Sequence, residues 1–149
     1  MTVRRAVPAD TPVLRAMMAG SNGYERPAAR AMIVAFAAGW SVPEGAHEVW
    51  GAEVSGAIAG FYALIPHGAD QELDLFFTAN DTQGTGLGRR LFAHMTDQAR
   101  ALGATKVVIS SNPEAAGFYR RMGAVEVGVS PAGDGISWER PKFELRLPK

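Results

Sequence analysis

Apolar and polar residues repeat with two different periods along this chain, and glycine or proline marks most of the changes between them. Residues 2–6 predict a short first strand. A helical period follows, with Asp10 as a candidate N-cap and Gly20 as the residue that ends the helix. An alanine-rich segment over residues 27–38 predicts a second helix, which ends at Gly39.

The middle of the chain changes to a period of two, which is typical of strands. Residues 49–54 and 57–65 are β-rich runs, and the Ser55-Gly56 pair between them is typical of a tight hairpin. Residues 72–78 form a third such run. These patterns predict three consecutive strands.

A glycine-rich segment and an amphipathic helix come after the third of these strands. Gly103 closes the helix, whose apolar stripe is formed by Leu87, Leu91, Met95 and Leu102. Residues 105–110 have the composition of a buried strand. Residues 72–110 therefore predict a β-loop-α-β unit with parallel strands and a right-handed crossover.

The last part of the chain predicts one more helix and two strands. Asn112, followed by proline, is a candidate N-cap for a helix of about ten residues that Gly123 closes. Strands over 124–129 and 142–147 then flank a loop rich in glycine and proline. With no internal repeat or long linker, residues 1–149 are expected to form one domain with a mixed α/β sheet.

Composition narrows the class of protein. The 149 residues are 47% hydrophobic and 20% charged, which fits a single globular domain. Fifteen basic side chains balance fifteen acidic ones, so no overall field attracts nucleic acid. The N-terminus lacks the apolar run of a signal peptide, and no stretch approaches the roughly 20 apolar residues of a membrane span. We therefore expect a cytoplasmic protein that binds neither nucleic acid nor a membrane.

Metal-ligating residue types are sparse. The absence of cysteine excludes a disulfide framework, a thiolate metal site and a cysteine nucleophile. His47, His67 and His94 match no close-spaced metal pattern, and we interpret all three as surface or loop residues. No metal site is expected.

The sharpest local pattern is the segment Gln83-Gly84-Thr85-Gly86-Leu87-Gly88-Arg89-Arg90, between a predicted strand and a predicted helix. Glycines let a backbone approach a ligand closely, and a helix start offers unpaired N–H groups with a partial positive charge. Two arginines in the first turn oppose the helix dipole unless an anion binds there. The segment therefore indicates a phosphate cradle. The competing interpretation is a tight turn followed by solvated arginines.

Two well-known phosphate loops do not fit this segment. A Walker loop requires Gly-Lys followed by Ser or Thr, and the chain has Gly-Arg-Arg instead. The dinucleotide fingerprint requires a third glycine where Arg89 stands, and an acidic residue where the chain has Ser110-Ser111-Asn112. These differences exclude a Walker-type nucleotide triphosphatase and disfavour a dinucleotide-binding oxidoreductase.

The Gln83-x-x-Gly86-x-Gly88 spacing resembles the acyl-CoA pyrophosphate loop of the GNAT family of N-acetyltransferases. Residues 112–124, with Asn112, Phe118-Tyr119 and a closing glycine, resemble the second signature of that family. The clear match covers residues 72–124, and the earlier residues resemble the family only in the order of their elements. The chain departs from the family at Phe77-Thr78-Ala79-Asn80, where Val and then Pro are common.

The resemblance implies a single GNAT-like α/β domain: a mixed, mostly antiparallel sheet with one parallel β-loop-α-β unit and helices on both faces. It implies acetyl-CoA as co-substrate and direct transfer of the acetyl group to an amine, within a ternary complex. The residues implied to bind acetyl-CoA are Phe76, Phe77, Thr78, Gln83, Gly84, Thr85, Gly86, Leu87, Gly88, Arg89 and Asn112.

Acyl transfer to an amine requires a base, because the acceptor is an ammonium at neutral pH. A period of two puts Glu72 and Asp74 on one face of their strand. Glu72 lies where many family members have their general base, acting directly or through a water. Asp74 is the alternate base, and Glu72 also fits an ordinary surface carboxylate.

Tyr119 is the candidate general acid. A phenol, with a pKa near 10, can protonate the departing thiolate, and in the family the tyrosine at this spacing points at the sulfur. The competing interpretation, an aromatic core residue, is assigned to Phe118 next to it.

The acceptor site is expected to use Asn22, Tyr24 and Glu25, together with a late loop that contains Asp134 and Trp138. This mixture of acids and aromatics suits a small amine but does not name it. The acceptor is expected to be a primary amine of a small molecule or peptide. The main alternative to an enzyme is a non-catalytic acyl-CoA-binding sensor, which is disfavoured because Glu72 and Tyr119 are both present. A monomer and a homodimer fit the sequence equally well.

Overall fold

A computed structural model describes residues 1–45, 47–133, 136 and 138–148, and these residues contain seven strands and four α-helices. The strands are β1 (Thr2–Arg5), β2 (Glu48–Val54), β3 (Ala57–His67), β4 (Asp70–Thr78), β5 (Lys106–Ser110), β6 (Val125–Ser130) and β7 (Arg140–Arg146). The α-helices are α1 (Thr11–Ala19), α2 (Pro27–Gly39), α3 (Leu87–Ala101) and α4 (Ala116–Arg121). No helix among these residues is long and apolar enough to cross a membrane.

The strands form a single sheet in the order β1-β2-β3-β4-β5-β7-β6. Strand β4 pairs with β5 in parallel, and α3 connects the two strands. Strands β1 and β2, β5 and β7, and β6 and β7 pair antiparallel. The mixed sheet with one parallel β-loop-α-β unit is therefore confirmed.

The chain divides into two compact units, and the first contains residues 1–63 and 75–91. Its core collects the inward positions of α1, α2 and the strands, with Leu14 and Met18 one helical turn apart and Ile33 and Ala37 likewise. An aromatic stack continues this core, in which the ring centroids of Phe61 and Phe77 are 5.6 Å apart. Burying these apolar side chains holds the first two helices against their strands.

The second unit contains Leu64–Asp74 and the described residues from Phe92 onward. Three consecutive residues of β5, Val107, Val108 and Ile109, are buried, as expected for a strand with both faces covered. Phe143 of β7 is also fully buried, and it pairs across the two strands with Ile109. An aromatic cluster around Tyr119 completes this core.

Several turns have the backbone that their residues predicted. Ser55 and Gly56 both adopt positive φ, 53° and 82°, which is the twist that a two-residue hairpin requires. Gly103 and Gly123 have φ of 86° and 97° and end α3 and α4 in the left-handed conformation.

Three helix ends differ in detail from their predictions. Asp10 is the N-cap residue of α1, as predicted, but its side chain makes no capping bond to the helix. Its carboxylate instead accepts from Arg4 and from the Val7 N–H, ahead of a short 3-10 turn. Leu102 lies beyond the end of α3 and is exposed, and Ala99 takes the corresponding buried position. The helix after Asn112 begins as a 3-10 turn, which leaves α4 only six residues long.

Candidate active site

The glycine-rich loop turns twice through backbone that glycine adopts readily. Gly84 and Gly86 both have φ of 83°, in the left-handed region. The Thr85 N–H donates to the Thr82 carbonyl at 3.2 Å and closes the turn before α3 begins at Leu87. Gly88 lies inside the helix, so two of the three glycines meet a conformational need.

Most N–H groups of this loop and of the first turn of α3 are left open. Leu87 N donates to Thr85 Oγ1 at 3.4 Å, and Arg90 N donates to the Gly86 carbonyl at 3.1 Å. The N–H groups of Gly84, Gly86, Gly88 and Arg89 find no acceptor among the residues that the structure describes. The first turn carries no acidic side chain, so its partial positive charge is not neutralised from within. This arrangement can bind a phosphate or pyrophosphate group.

Gly60 of β3 lets the start of α3 approach the strands closely. A Cβ at this position would lie 3.1 Å from the Phe77 carbonyl and 3.2 Å from the side chains of Leu87 and Leu91. The sequence reasoning missed this residue, although a glycine inside a strand often marks a close backbone approach. Gly60 therefore helps to fix the helix whose N-terminus forms the loop.

Strand β4 leaves its parallel partner before its end. The pairing with β5 covers Gln71, Glu72 and Leu73, whereas β4 continues to Thr78. Phe76 and Thr78 are half-buried, but Phe77 is buried and its ring stacks on other aromatic rings. The side chain of Phe77 is therefore occupied by core packing, which leaves its backbone as the part that could contact acetyl-CoA.

The carboxylates of β4 lie on the face that the period of two predicts. Leu73 and Leu75 are buried, whereas Glu72 is half-buried and Asp74 reaches solvent. Glu72 Oε1 lies 3.9 Å from His67 Nδ1. Neighbouring protein atoms nevertheless desolvate part of the Asp74 carboxyl, and this desolvation, with a further contribution from the charge of Glu72, raises the pKa of Asp74. A carboxylate whose pKa is raised toward neutrality is a stronger base than an ordinary one.

Tyr119 lies in an aromatic cluster rather than on the surface. It is 7% exposed, and its ring centroid lies 5.5 Å from Phe118, 6.1 Å from Phe143 and 6.2 Å from Phe92. Phe118 is only half-buried, so the core position expected for Phe118 belongs to Tyr119. Core packing and a catalytic hydroxyl are compatible in one tyrosine, because its ring is apolar and only its tip is polar.

Asn112 caps the helix that follows it with its backbone carbonyl and not with its side chain. Its carbonyl accepts from the Ala115 N–H at 3.0 Å, and its side-chain amide donates to Glu114 Oε2 at 3.3 Å. The side chain makes no capping bond to the helix.

Gln83 and Asn22 are expected to contact different ligands, and their side chains are hydrogen-bonded to each other. Gln83 Nε2, expected to contact acetyl-CoA, donates to Oδ1 of Asn22, expected to contact the acceptor, at 2.8 Å. Tyr24 stacks on Phe77 with 5.7 Å between ring centroids. Asn80, which the sequence reasoning named only as a departure from the family pattern, also hydrogen-bonds Asn22.

The remaining acceptor residues form no comparable cluster. Glu25 is exposed and Trp138 is half-buried ahead of β7, while Asp134 lies outside the described residues. No group of three or more metal-ligating side chains occurs in the described part of the chain. His94 differs from its prediction as a surface or loop residue, because it lies half-buried in α3 and burial lowers its pKa.

Comparison with known proteins reveals both sequence and structural relatives. The family model described as acetyltransferase (GNAT) domain matches residues 26–145. A 5-NmdU N-acetyltransferase of Pseudomonas phage PaMx11 is 35% identical over 88 residues, which cover 58% of this chain and 63% of the relative. The matched segment thus spans less than two thirds of that relative.

Solved structures with the same fold cover nearly the whole chain. The ribosomal-protein-S18-alanine N-acetyltransferase of Escherichia coli has a TM-score of 0.74 at 17% identity, covering 99% of this chain and 94% of that one. An aminoglycoside 6'-N-acetyltransferase complexed with coenzyme A has a TM-score of 0.68 at 14% identity, covering 100% and 98%. With the family model matching residues 26–145, this chain belongs to the GNAT family of acetyltransferases.

Proposed function

We propose that the protein is an N-acetyltransferase that moves an acetyl group from acetyl-CoA to a primary amine of a small molecule or peptide. The observation that carries this proposal is the set of open N–H groups at Gly84, Gly86, Gly88 and Arg89. They lie just before and in the first turn of α3, where the helix dipole favours an anion. A structural neighbour was solved with coenzyme A, whose pyrophosphate is such an anion.

Acetyl-CoA would be held mainly by backbone groups. The pyrophosphate would accept from the N–H groups of residues 84–89, with the exposed Arg89 adding a positive charge. The backbone of Phe76, Phe77 and Thr78, beyond the paired part of β4, would bond the amides of the pantetheine arm. Asn112 would contact the same arm.

The first chemical step would be loss of a proton from the acceptor ammonium. Glu72 takes this proton, directly or through a water, and Asp74 is the alternate base. The raised pKa of Asp74 supports a role for that carboxylate near neutral pH. The free amine then attacks the thioester carbonyl and forms a tetrahedral intermediate.

Collapse of the intermediate would release the acetylated amine and coenzyme A. A backbone N–H in the Phe76–Thr78 segment stabilises the oxyanion, and the Tyr119 hydroxyl donates its proton to the departing sulfur. The nitrogen, positively charged after its attack, releases its extra proton to solvent, and Tyr119 regains a proton from solvent. The acetyl group passes directly between the two substrates in a ternary complex. No covalent enzyme intermediate is required.

The acceptor would contact the turn that carries Asn22, Tyr24 and Glu25, and also Trp138. The names of the relatives differ in acceptor, since one is a 5-NmdU N-acetyltransferase and another acts on the alanine of ribosomal protein S18. The family therefore leaves both small-molecule and peptide amines to be tested.

A panel of amines tests the proposal. The protein is incubated with acetyl-CoA and each amine, free thiol is measured, and the acetylated amine is detected by mass spectrometry. We expect thiol release that depends on the amine, with an equal amount of acetylated product. Tight binding of acetyl-CoA with no product from small amines or N-terminal peptides would favour the sensor alternative.

A further inference from the structure

Three side-chain hydrogen bonds join the turn after α1, residues 20–24, to the segment that leads into the glycine-rich loop. The backbone N–H of Asn22 donates to Asn80 Oδ1 at 3.0 Å, and Asn80 Nδ2 donates to the Gly20 carbonyl at 2.8 Å. Gln83 Nε2 donates to Asn22 Oδ1 at 2.8 Å. Because Asn22 and Asn80 are 58 residues apart, these bonds fix tertiary structure rather than a local turn.

Asn80 suits this position because one planar amide supplies an acceptor and a donor together. Its oxygen accepts from an N–H of the turn, and its nitrogen satisfies the Gly20 carbonyl at the end of α1, where carbonyls lack helical partners. A proline at position 80 could make neither bond.

The bridge links two places to which different ligands are assigned. Gln83 directly precedes the open N–H groups of the glycine-rich loop, and its side chain holds Asn22. Tyr24, on the same turn, stacks on Phe77 of β4. A change in the glycine-rich loop must therefore either move the turn with it or break these contacts.

We propose that Asn80 is a positioning residue that couples acetyl-CoA binding at residues 84–89 to the conformation of the turn at residues 20–24. This inference rests on the proposed function. Acetyl-CoA would restrain the glycine-rich loop, and the bonds of Asn80 and Gln83 would pass that restraint to Asn22. The acceptor-side turn would then be ordered when the acetyl donor is bound.

Hydrogen–deuterium exchange of the full chain, with and without saturating acetyl-CoA, measures this coupling without a known acceptor. In the wild type, acetyl-CoA should slow exchange in peptides covering residues 84–90 and also in peptides covering 20–25. We expect slowing of roughly fivefold or more at the turn, the lower range of allosteric coupling. The ratio of free to bound rates is compared, because a purely structural role would raise both rates together.

Two variants separate the coupling from ligand binding. Asn80→Ala removes two of the three bonds and leaves the Gln83–Asn22 bond, so it should keep the slowing at residues 84–90 and lose most of it at 20–25. Asn80→Asp, which keeps only the acceptor, should lose a smaller part. Asp97→Ala, which removes an exposed ion pair with Arg100 on α3, should retain both effects. Wild-type slowing at 20–25 in either Asn80 variant would overturn the inference. Absence of slowing at 84–90 in the wild type would instead contradict the proposed function.

Discussion

Two aspartates have pKa values that their surroundings shift in opposite directions. The Arg4 guanidinium, with help from the Val7 N–H, lowers the pKa of Asp10. Desolvation of its carboxyl, reinforced by the charge of Glu72, raises the pKa of Asp74. The ionised form of Asp10 therefore stabilises the fold at neutral pH, whereas the ionised form of Asp74 costs stability there.

Replacing each aspartate by asparagine should separate a structural carboxylate from a functional one. Asp10→Asn should lower Tm at pH 7 by roughly 2–4 °C, which corresponds to about 1 kcal/mol. This difference should shrink as the pH falls through the lowered pKa of Asp10. Asp74→Asn should leave Tm at pH 7 unchanged or raise it. Thermal unfolding from pH 2 to 7, a range that extends well below the ordinary aspartate pKa of 3.8, checks both. A lower Tm for Asp74→Asn would contradict the assignment.

Glu72→Gln tests the general base, since it keeps size and hydrogen-bonding reach but removes the proton acceptor. The loss of rate should be largest at low pH, where little free amine exists. At high pH the substrate supplies its own deprotonated form, so variant and wild type should converge. A pH–rate profile with an accepted amine measures this. A defect independent of pH would indicate substrate positioning, and no defect would move the role to Asp74 or a bound water.

Tyr119→Phe tests the general acid in a residue that also belongs to the core. The phenyl ring keeps the contacts with Phe92, Phe118 and Phe143, so the variant should fold and bind acetyl-CoA near wild-type affinity. Loss of the hydroxyl should lower kcat by roughly ten- to ten-thousandfold, with acetyl-CoA binding measured separately. Normal turnover by the folded variant would show that another group protonates the sulfur.

At the scale of elements, the loop before α3 depends on two glycines, Gly84 and Gly86, whose backbone is in the left-handed region. A Cβ at Gly86 would meet nothing within 4 Å, so a larger residue there acts through backbone strain rather than a clash. Gly56, in the β2–β3 hairpin, has the same properties and a φ of 82°. The two positions therefore form a matched pair.

Gly86→Val should abolish acetyl-CoA binding, because the N–H groups on both sides of the residue must turn away from their present directions. Gly56→Val places similar strain in a distant hairpin and should lower Tm without changing the affinity for acetyl-CoA. Calorimetric titration and thermal unfolding of both variants check this. Equal acetyl-CoA affinity in the two variants would mean that the loop is only a turn.

Periodicity and turn chemistry predicted where the elements lie, because both act within a few residues. Ser55-Gly56 and Gly123 were predicted on that basis and adopt the expected conformations. Asp10 is the predicted N-cap residue, but its side chain binds Arg4 instead of the helix. Leu102 was predicted wrongly, because its burial depends on where the helix ends. Local sequence carries neither kind of information.

At the scale of the whole molecule, the parallel pair β4 and β5 was predictable because a strand, a helix and a strand in succession have few alternatives. The bridge from Asn80 to the turn after α1 was not, since it joins residues 58 positions apart through loop side chains. The open N–H groups of the loop were anticipated from the glycine spacing, and the structure shows which of them have no acceptor among the residues it describes.

Calorimetric titration of the wild-type protein with acetyl-CoA tests the central claim most directly, with NADH and ATP as matched nucleotide controls. One acetyl-CoA should bind per chain, more tightly than either control, and the affinity should weaken as salt screens the pyrophosphate. Absence of acetyl-CoA binding, or equal affinity for NADH, would contradict the assignment of the glycine-rich loop to acetyl-CoA.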